Sequence, residues 1–311
     1  MSIQASENNE DLVDIISISR TLWAEKITII VIAGLMVLMS IIYAISLPNI
    51  YKSSTLITAN TQGTTMSSRM MGSQLGGLAS LAGIAIPGGG SGEEKSIIAI
   101  EMMKSQKFFS DYLYDKIIIE LMATKEWIQR DNELVIDAEI YNTSKDIWVR
   151  NVAFPLSKKP SVQEAHKAFM RIFKLEEQDP PFYEISIMHQ SPFIAMQWNK
   201  LIMESINNAM RIYDVSSSEK SIKFLMEELN KNNQVVLNDV FASLIEQQTQ
   251  KMMLANVNEE YVLRTIDPAV ANELRESPKR KVIVILGLML GLFISLLFIF
   301  VKNYRKHAFF I

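Results

Sequence analysis

The hydrophobic pattern of the chain is dominated by two long uncharged runs, one near each end. Residues 27–47 number 21 and residues 282–301 number 20, and neither run contains a charged side chain. An α-helix rises about 1.5 Å per residue, so each run spans about 30 Å, the thickness of the hydrocarbon core of a bilayer. A cleaved signal peptide explains the first run poorly, because acidic residues precede it and no small-x-small cleavage site follows it. The runs therefore predict two transmembrane helices, at residues 27–47 and 282–301.

The two runs divide the remaining chain into three parts. Residues 1–26 form a polar N-terminal segment whose apolar positions, from 12 to 23, recur at helical spacing, so it is predicted to be amphipathic. Residues 48–281 are long enough for one sizeable external domain. Residues 302–311 form a short tail on the same side as the N-terminal segment. Basic residues near the ends of the runs are equally frequent on both sides, so the charge count does not decide the orientation. A long central segment can be exported regardless of this count, and the sequence therefore only slightly favours an exported central domain.

Within the central domain, segments with strand and helix periodicity alternate. Strands are predicted at 51–58, 133–140, 146–152, 182–189 and 260–269, and helices at 93–116 and from Ser161 onwards. The second helix begins with a capping box, because Glu164 follows Ser161 by three residues. This alternation predicts an α+β (α/β) domain with a small mixed sheet at its base.

A much longer helical pattern occupies residues 192–256. It contains no glycine, and Pro192, its first residue, is the only proline in it. A continuous helix over the 64 residues 192–255 would reach about 95 Å, too long to bury its apolar stripe against one small sheet. The pattern therefore predicts a long extended helix that needs a partner helix, from this chain or from another copy.

A glycine-rich stretch at residues 72–94 holds eight of the chain's twelve glycines. Glycine at this density resists regular structure, so the stretch is either disordered or a loop that covers a lumen or a neighbouring subunit. It is a poor phosphate-binding loop, because Glu94 stands where a Walker A motif requires glycine before its Lys-Ser pair.

Composition offers little support for catalysis or cofactor binding. The central domain carries 26 basic and 29 acidic groups, so it has no overall positive field to hold nucleic acid. Cysteine is absent, and His166, His189 and His307 form no metal-ligand pattern. No catalytic, cofactor-binding or metal-binding residues are predicted, and the chain is not expected to be an enzyme.

The second apolar run carries the clearest local motifs. Gly287 and Gly291 form a Gly-x-x-x-Gly pair, with Ser295 four residues further on, and small residues at this spacing allow close helix packing in membranes. Just before the run, Pro278 favours a helix start, and Lys279, Arg280 and Lys281 are placed to contact lipid phosphate. Gly287, Gly291 and Ser295 are predicted to mediate transmembrane or oligomer packing. The four residues from Pro278 to Lys281 are predicted to form the membrane entrance.

Four stretches together resemble the polysaccharide co-polymerases, and specifically the Wzz-type O-antigen chain-length determinants. They are DLVDIISISRTLWAEK before the first run, LPNIYKSSTLI after it, VLRTIDPA, and SPKRKVIVILGLMLGL at the second run. The likeness is most specific at the two ends of the chain. Members of that family have a fuller proline pattern before the second span, whereas this chain has only Pro268 and Pro278 there.

The resemblance implies a protein of the Gram-negative inner membrane, with cytoplasmic termini and a periplasmic central domain. It also implies a homo-oligomeric ring that sets the modal chain length of lipopolysaccharide O antigen together with a separate membrane polymerase. Lipid-linked polysaccharide is a further candidate partner.

Two other functions remain open. The same two-span arrangement occurs in activators of tyrosine autokinases for capsule or exopolysaccharide export. A fused kinase is not expected, because only ten residues follow the second run, but a separately encoded kinase partner fits. A two-span periplasmic sensor is the alternative of another class, although no signalling helix is seen after the second run.

Overall fold

A computed structural model of the chain describes residues 23–60, 92–231 and 235–308. These residues form two compact units. The terminal unit comprises the described residues up to Asn49 and from Glu276 onwards, and the central unit is Ile50–Arg275. The N-terminal segment before residue 23 and the glycine-rich residues 72–91, on which predictions were made, lie outside the described residues.

The terminal unit is built from two apolar helices, α1 (Lys26–Ser46) and α8 (Arg280–Ala308). Both are long and apolar enough to cross a membrane, with mean hydropathies of 2.6 and 3.1 over their most apolar stretches. Helix α8 begins two residues before the uncharged run and continues beyond it. The predicted limits of 282–301 therefore mark the apolar part of a longer helix.

The central unit combines helices with short strands. Its helices are α2 (Gly92–Lys104), α3 (Gln106–Phe108), α4 (Tyr114–Ala123), α5 (Val162–Ile172), α6 (Pro192–Lys231) and α7 (Val235–Val257), with a π-helical turn at Phe109–Leu113. Its strands are β1 (Tyr51–Ala59), β2 (Thr124–Ile128), β3 (Glu133–Ile136), β4 (Tyr141–Asn142), β5 (Ile147–Trp148), β6 (Phe173–Glu177), β7 (Phe182–His189) and β8 (Leu263–Asp267). The expected combination of a small sheet with helices is confirmed.

Four strands form the main sheet in the order β6-β7-β1-β8. Tyr51 at the start of β1 lies opposite His189, and Ala59 at its end lies opposite Leu263. Every neighbouring pair in this sheet is antiparallel, so the expected mixed sheet is wrong in that detail. The reason is that β1, which comes first in the chain, lies between β7 and β8 and separates the two strands that share a direction.

Helix α6 fixes one face of this sheet through two buried asparagines. Asn199 donates to the carbonyl oxygens of Ser53 and Ile185, both at 3.1 Å, and accepts from Thr55 at 2.9 Å. Asn207 donates to the carbonyl oxygen of Leu263 at 3.0 Å. Because unpaired polar groups are costly to bury, these bonds specify where the helix lies on β1, β7 and β8.

The helix predicted for residues 192–256 is not continuous. It consists of α6 and α7, which run antiparallel: Asp214 of α6 pairs with Lys251 of α7 at 2.8 Å, and Arg211 donates to the carbonyl oxygens of Asn258 and Glu259 at the end of α7. The sequence between the helices, residues 232–234, contains two asparagines, which favour a helix less than Ala or Leu do. The apolar stripe of α6 thus finds its partner helix within the same chain.

Several other predictions can be compared element by element. The cap of α5 is confirmed, since the Ser161 hydroxyl accepts from the Glu164 amide at 3.2 Å. Strand β7 has its predicted limits, and Ile185 and Ile187 on one face are fully buried. The strands predicted at 133–140 and 146–152 are only four and two residues long, and β2, β4 and β6 were not predicted.

Candidate functional site in the paired apolar helices

Helices α1 and α8 of the terminal unit pack against each other in antiparallel order. Ser40 of α1 lies beside Gly287 of α8, Ala33 lies beside Gly291, and Glu25 just before α1 pairs with Lys302 at 2.6 Å. Residue numbers therefore rise along one helix as they fall along the other. This arrangement places the motif residues of the second run against the first run of the same chain.

The two glycines of the motif lie where a side chain has no room. A Cβ atom on Gly287 would lie 2.5 Å from both side-chain heavy atoms of Ser40. A Cβ atom on Gly291 would lie 3.0 Å from the Ala33 Cα atom and 3.0 Å from the Met36 Cβ atom. Small residues at such positions allow helix backbones to approach closely and gain dispersion contacts, which is the main source of helix association in lipid.

Ser295 continues the same stripe one turn further along α8. It is fully buried, and its hydroxyl donates to the carbonyl oxygen of Leu292 at 2.7 Å, so it needs no partner on α1. Ile299, four residues on, is also buried. The buried stripe of α8 therefore passes from glycine through serine to a large aliphatic side chain.

The predicted membrane-entrance residues lie at the start of α8. Lys279 and Lys281 are exposed, and Arg280 is half-buried and donates from Nη2 to the Asn49 side-chain oxygen at 3.2 Å. The Pro278 carbonyl oxygen accepts from the Arg280 amide at 2.9 Å. Arg280 thus ties the start of α8 to the residue that follows α1 by three positions, while the two lysines are free to meet solvent or lipid phosphate.

The chemistry of this helix pair is that of a structural contact. Its facing residues are small or apolar, with the Ser40 and Ser295 hydroxyls within the contact and the Glu25–Lys302 ion pair at its end. In the described parts of the chain, no group of three or more His, Asp or Glu side chains is arranged to hold a metal ion.

A buried charge cluster in the central unit was missed by the sequence analysis. Asp214, 5% exposed, accepts from Lys95 at 2.7 Å, Lys251 at 2.8 Å and the Tyr261 hydroxyl at 2.7 Å. These partners come from α2, α7 and the segment before β8, so one carboxylate joins four parts of the chain. No motif in the sequence around Asp214 marks this cluster, and only the three-dimensional packing identifies its partners.

The environment of this cluster shifts two pKa values. Burial alone raises the pKa of Asp214, but hydrogen bonds from Lys251, Lys95 and Tyr261 outweigh it and lower the pKa below its usual value. Burial, followed by the bond to Asp214, raises the pKa of Tyr261. Asp214 is therefore charged and Tyr261 protonated at neutral pH, which is the state that keeps all three bonds.

His189 is a second buried titratable group of the central unit. Burial lowers its pKa from 6.5 to about 4. Its Nδ1 atom accepts from the Ser191 amide at 3.0 Å, and its ring lies 5.1 Å from the Trp198 ring. The ring is thus a neutral structural acceptor for the Ser191 amide.

Comparison with known protein families gives two matches. Residues 11–115 match the family described as "Chain length determinant protein" (Wzz), and residues 224–304 match the "G-rich domain on putative tyrosine kinase" (GNVR). The first match includes α1 and β1, and the second includes α7, β8 and most of α8. No curated protein sequence matches the chain.

Two solved structures have related descriptions but low similarity. A full-length bacterial polysaccharide co-polymerase is 13% identical, with a TM-score of 0.41, over 96% of this chain and 99% of that one. A fragment of the polysaccharide co-polymerase WzzB from Salmonella Typhimurium is 14% identical, with a TM-score of 0.29, over 74% of this chain and 100% of that one.

The family matches fall on the segments where the sequence motifs were noted, on both sides of the first apolar run and around the second. The resemblance of the chain to the Wzz-type polysaccharide co-polymerases is thereby confirmed.

Proposed function

We propose that this chain regulates the length of a surface polysaccharide, namely the modal chain length of lipopolysaccharide O antigen. It acts as an oligomeric scaffold beside a separate integral-membrane polymerase and forms no glycosidic bonds itself. The observation that carries this proposal is the match of residues 11–115 to the chain length determinant family.

In this proposal α1 and α8 cross the bacterial inner membrane, with the central unit in the periplasm and both termini in the cytoplasm. Support comes from the length and apolarity of the two helices. The exposed Lys279 and Lys281 then lie at the headgroup level, where lysine side chains interact favourably with lipid phosphate.

Gly287, Gly291 and Ser295 form the contact stripe between the two spans of one subunit. The close approach of Gly287 to Ser40 and of Gly291 to Ala33 supports this role. The outer faces of both helices remain apolar and exposed, with Leu290 52% exposed, so they are available to a polymerase or to neighbouring subunits. A rigid helix pair presents those outer faces in one fixed arrangement.

One observation favours a second function. The match of residues 224–304 to a domain found on putative tyrosine kinases fits an adaptor that activates a separately encoded tyrosine autokinase in capsule or exopolysaccharide export. Both functions need the same two-span scaffold. They differ in the polymer and in the partner protein, which is an integral-membrane polymerase in the first and a tyrosine autokinase in the second.

Deletion of the gene separates the two functions. Silver-stained gels of lipopolysaccharide from deleted and complemented cells are compared with assays of capsule and secreted polymer. Collapse of a tight cluster of long chains into an unregulated ladder supports O-antigen control. An unchanged ladder with altered capsule or secreted polymer supports the kinase adaptor, and no change in any surface glycan contradicts both.

A further inference from the structure

A single arginine fixes the loop that connects β5 to α5. Arg150 donates from Nε to the Lys158 carbonyl oxygen at 2.7 Å and from Nη2 to the Ser157 carbonyl oxygen at 2.8 Å. Its guanidinium also pairs with the Glu164 carboxylate, at 2.7 Å from Nη2. Because charge-assisted hydrogen bonds are strong, residues 153–159, which we call the β5–α5 loop, are held in one defined conformation.

The tip of the β5–α5 loop places apolar side chains in solvent. Phe154 is 96% exposed and Leu156 is 49% exposed. Folding gains nothing from an apolar side chain that stays in water, whereas a rigidly held aromatic ring lowers the entropic cost of binding a partner. Lys158 and Lys159 follow at exposed positions, and residues 153–159 include no acidic residue. The loop therefore fits a partner surface that is both apolar and acidic.

The exposed side of α2 has that composition. Four residues at the spacing i, i+3, i+4 and i+7 share one face of the helix, and we call them the α2 face: Glu94, Ile97, Ile98 and Glu101. All four are exposed, with Ile97 at 55% and Ile98 at 51%, while the opposite side of α2 packs into the core of the central unit. The α2 face thus presents two apolar side chains between two carboxylates.

The lysines near the α2 face are each paired with a carboxylate. Lys95 pairs with the buried Asp214 at 2.7 Å, and Lys107 pairs with Asp111 at 2.7 Å. Lys104 pairs at 2.8 Å with the second glutamate of the α2 face. Two glutamates against this one lysine leave the α2 face with a net charge of −1, whereas the two lysines give the β5–α5 loop a net charge of +2. The two surfaces are therefore complementary in charge as well as in apolar character.

We propose that the β5–α5 loop of one copy packs on the α2 face of a second copy, with Phe154 against Ile97 and Ile98, and Lys158 beside Glu101. Phe154 and Ile98 are both exposed within one subunit, so they do not cover each other there. A stable interface buries about 1,200–2,000 Å², more than these few side chains supply, so this is one part of a larger contact between copies. The inference rests on the proposed oligomeric scaffold and identifies two surfaces by which its copies meet.

The absence of cysteine from the chain permits a cross-linking test between copies. Two full-length variants with different tags, Phe154→Cys and Ile98→Cys, are expressed together, and their membranes are treated with a short bis-maleimide. In the matched control Met170→Cys, an exposed apolar position on α5 that is 37% exposed, replaces Ile98→Cys. Because each chain has one cysteine, a product that carries both tags joins two copies.

We expect severalfold more product with both tags from the pair 154 and 98 than from the pair 154 and 170. Lys158→Glu in the first variant should lower the yield of the 154–98 product, because it places two carboxylates together. Glu101→Lys in the second variant should restore that yield, since it recreates an opposite pair at the same place.

An equal yield from both pairs of positions overturns the proposal, and so does a charge reversal that Glu101→Lys does not rescue. A product that joins two Phe154→Cys chains also overturns it, because the loops then meet each other. Light scattering of the detergent-solubilised full chain separates two kinds of failure. If the 154–98 product is absent but the particle contains several chains, this contact alone fails; the mass of a single chain means that the proposed oligomeric scaffold fails too.

Discussion

Two glycines of the apolar helices have opposite surroundings, and this contrast gives a matched pair of substitutions. A Cβ atom on Gly291 meets Ala33 and Met36 at 3.0 Å, whereas a Cβ atom on Gly34 meets nothing within 4 Å. Gly291→Leu should therefore force α1 and α8 apart, at a cost of roughly 1–3 kcal/mol, while Gly34→Leu should be tolerated.

The measurement is the O-antigen length distribution in cells that carry each variant, with immunoblots to confirm equal protein levels. We expect Gly291→Leu to broaden the distribution and Gly34→Leu to leave it unchanged. Identical profiles for both variants would show that the close approach at Gly291 has no part in length control.

His189 provides a prediction about pH. Its pKa is lowered by burial from 6.5 to about 4, so between these values the unfolded chain binds a proton that the folded chain does not. Stability is therefore full above pH 6.5 and declines by about 3 kcal/mol as the pH falls through about 4. In His189→Asn, whose side-chain oxygen can still accept from the Ser191 amide, this decline should disappear. Thermal unfolding of the full chain in detergent between pH 7 and 4 measures the difference, and an equal slope in both proteins would count against it.

At the scale of elements, Asp214 joins α2, α6 and α7 to the segment before β8. Asp214→Asn keeps the shape but leaves Lys95 and Lys251 without their shared carboxylate, so the free energy of unfolding should fall by about 2 kcal/mol. The loss should be largest at neutral pH, because a carboxylate with a lowered pKa stabilises the fold above its ordinary pKa and loses this effect as the pH falls through the lowered value.

Glu219→Gln is the control, since Glu219 is exposed on the same helix. Denaturant unfolding of the full chain compares the two variants. An Asp214→Asn protein as stable as Glu219→Gln would mean that packing alone holds the helical hairpin.

The elements that the sequence predicts well are those with local signals. The cap at Ser161 and the alternation in β7 depend on neighbouring residues, and both are found as predicted. The antiparallel return of α7 along α6 and the partners of Asp214 depend on contacts between distant residues, which periodicity does not encode. The spacing of the glycines in the second run is a local signal, so it indicated that they pack closely against a helix. It did not indicate which helix, because the contact with α1 joins distant parts of the chain.

At the scale of the whole molecule, the helical hairpin of α6 and α7 retains exposed apolar side chains. Phe224 is 60% exposed and Met253 is 62% exposed. Since large exposed apolar residues in groups mark interaction surfaces, we expect the hairpin to contact neighbouring copies in the proposed oligomer.

Phe224→Glu should reduce the particle mass of the detergent-solubilised full chain, measured by light scattering. Lys223→Glu introduces the same residue at the adjacent exposed position and should not. Unchanged mass in both variants would exclude Phe224 from the interface.

The central claim is that this chain sets the length of the polysaccharide. The most direct test expresses it in a host whose own chain-length determinant has been deleted and whose polymerase is retained, and compares the lipopolysaccharide ladder with that of the same host carrying its native determinant. The account predicts that a cluster of chains returns and that its modal length follows the introduced gene. A ladder that stays unregulated while the protein is present in the membrane, with that host's polymerase active, would contradict it.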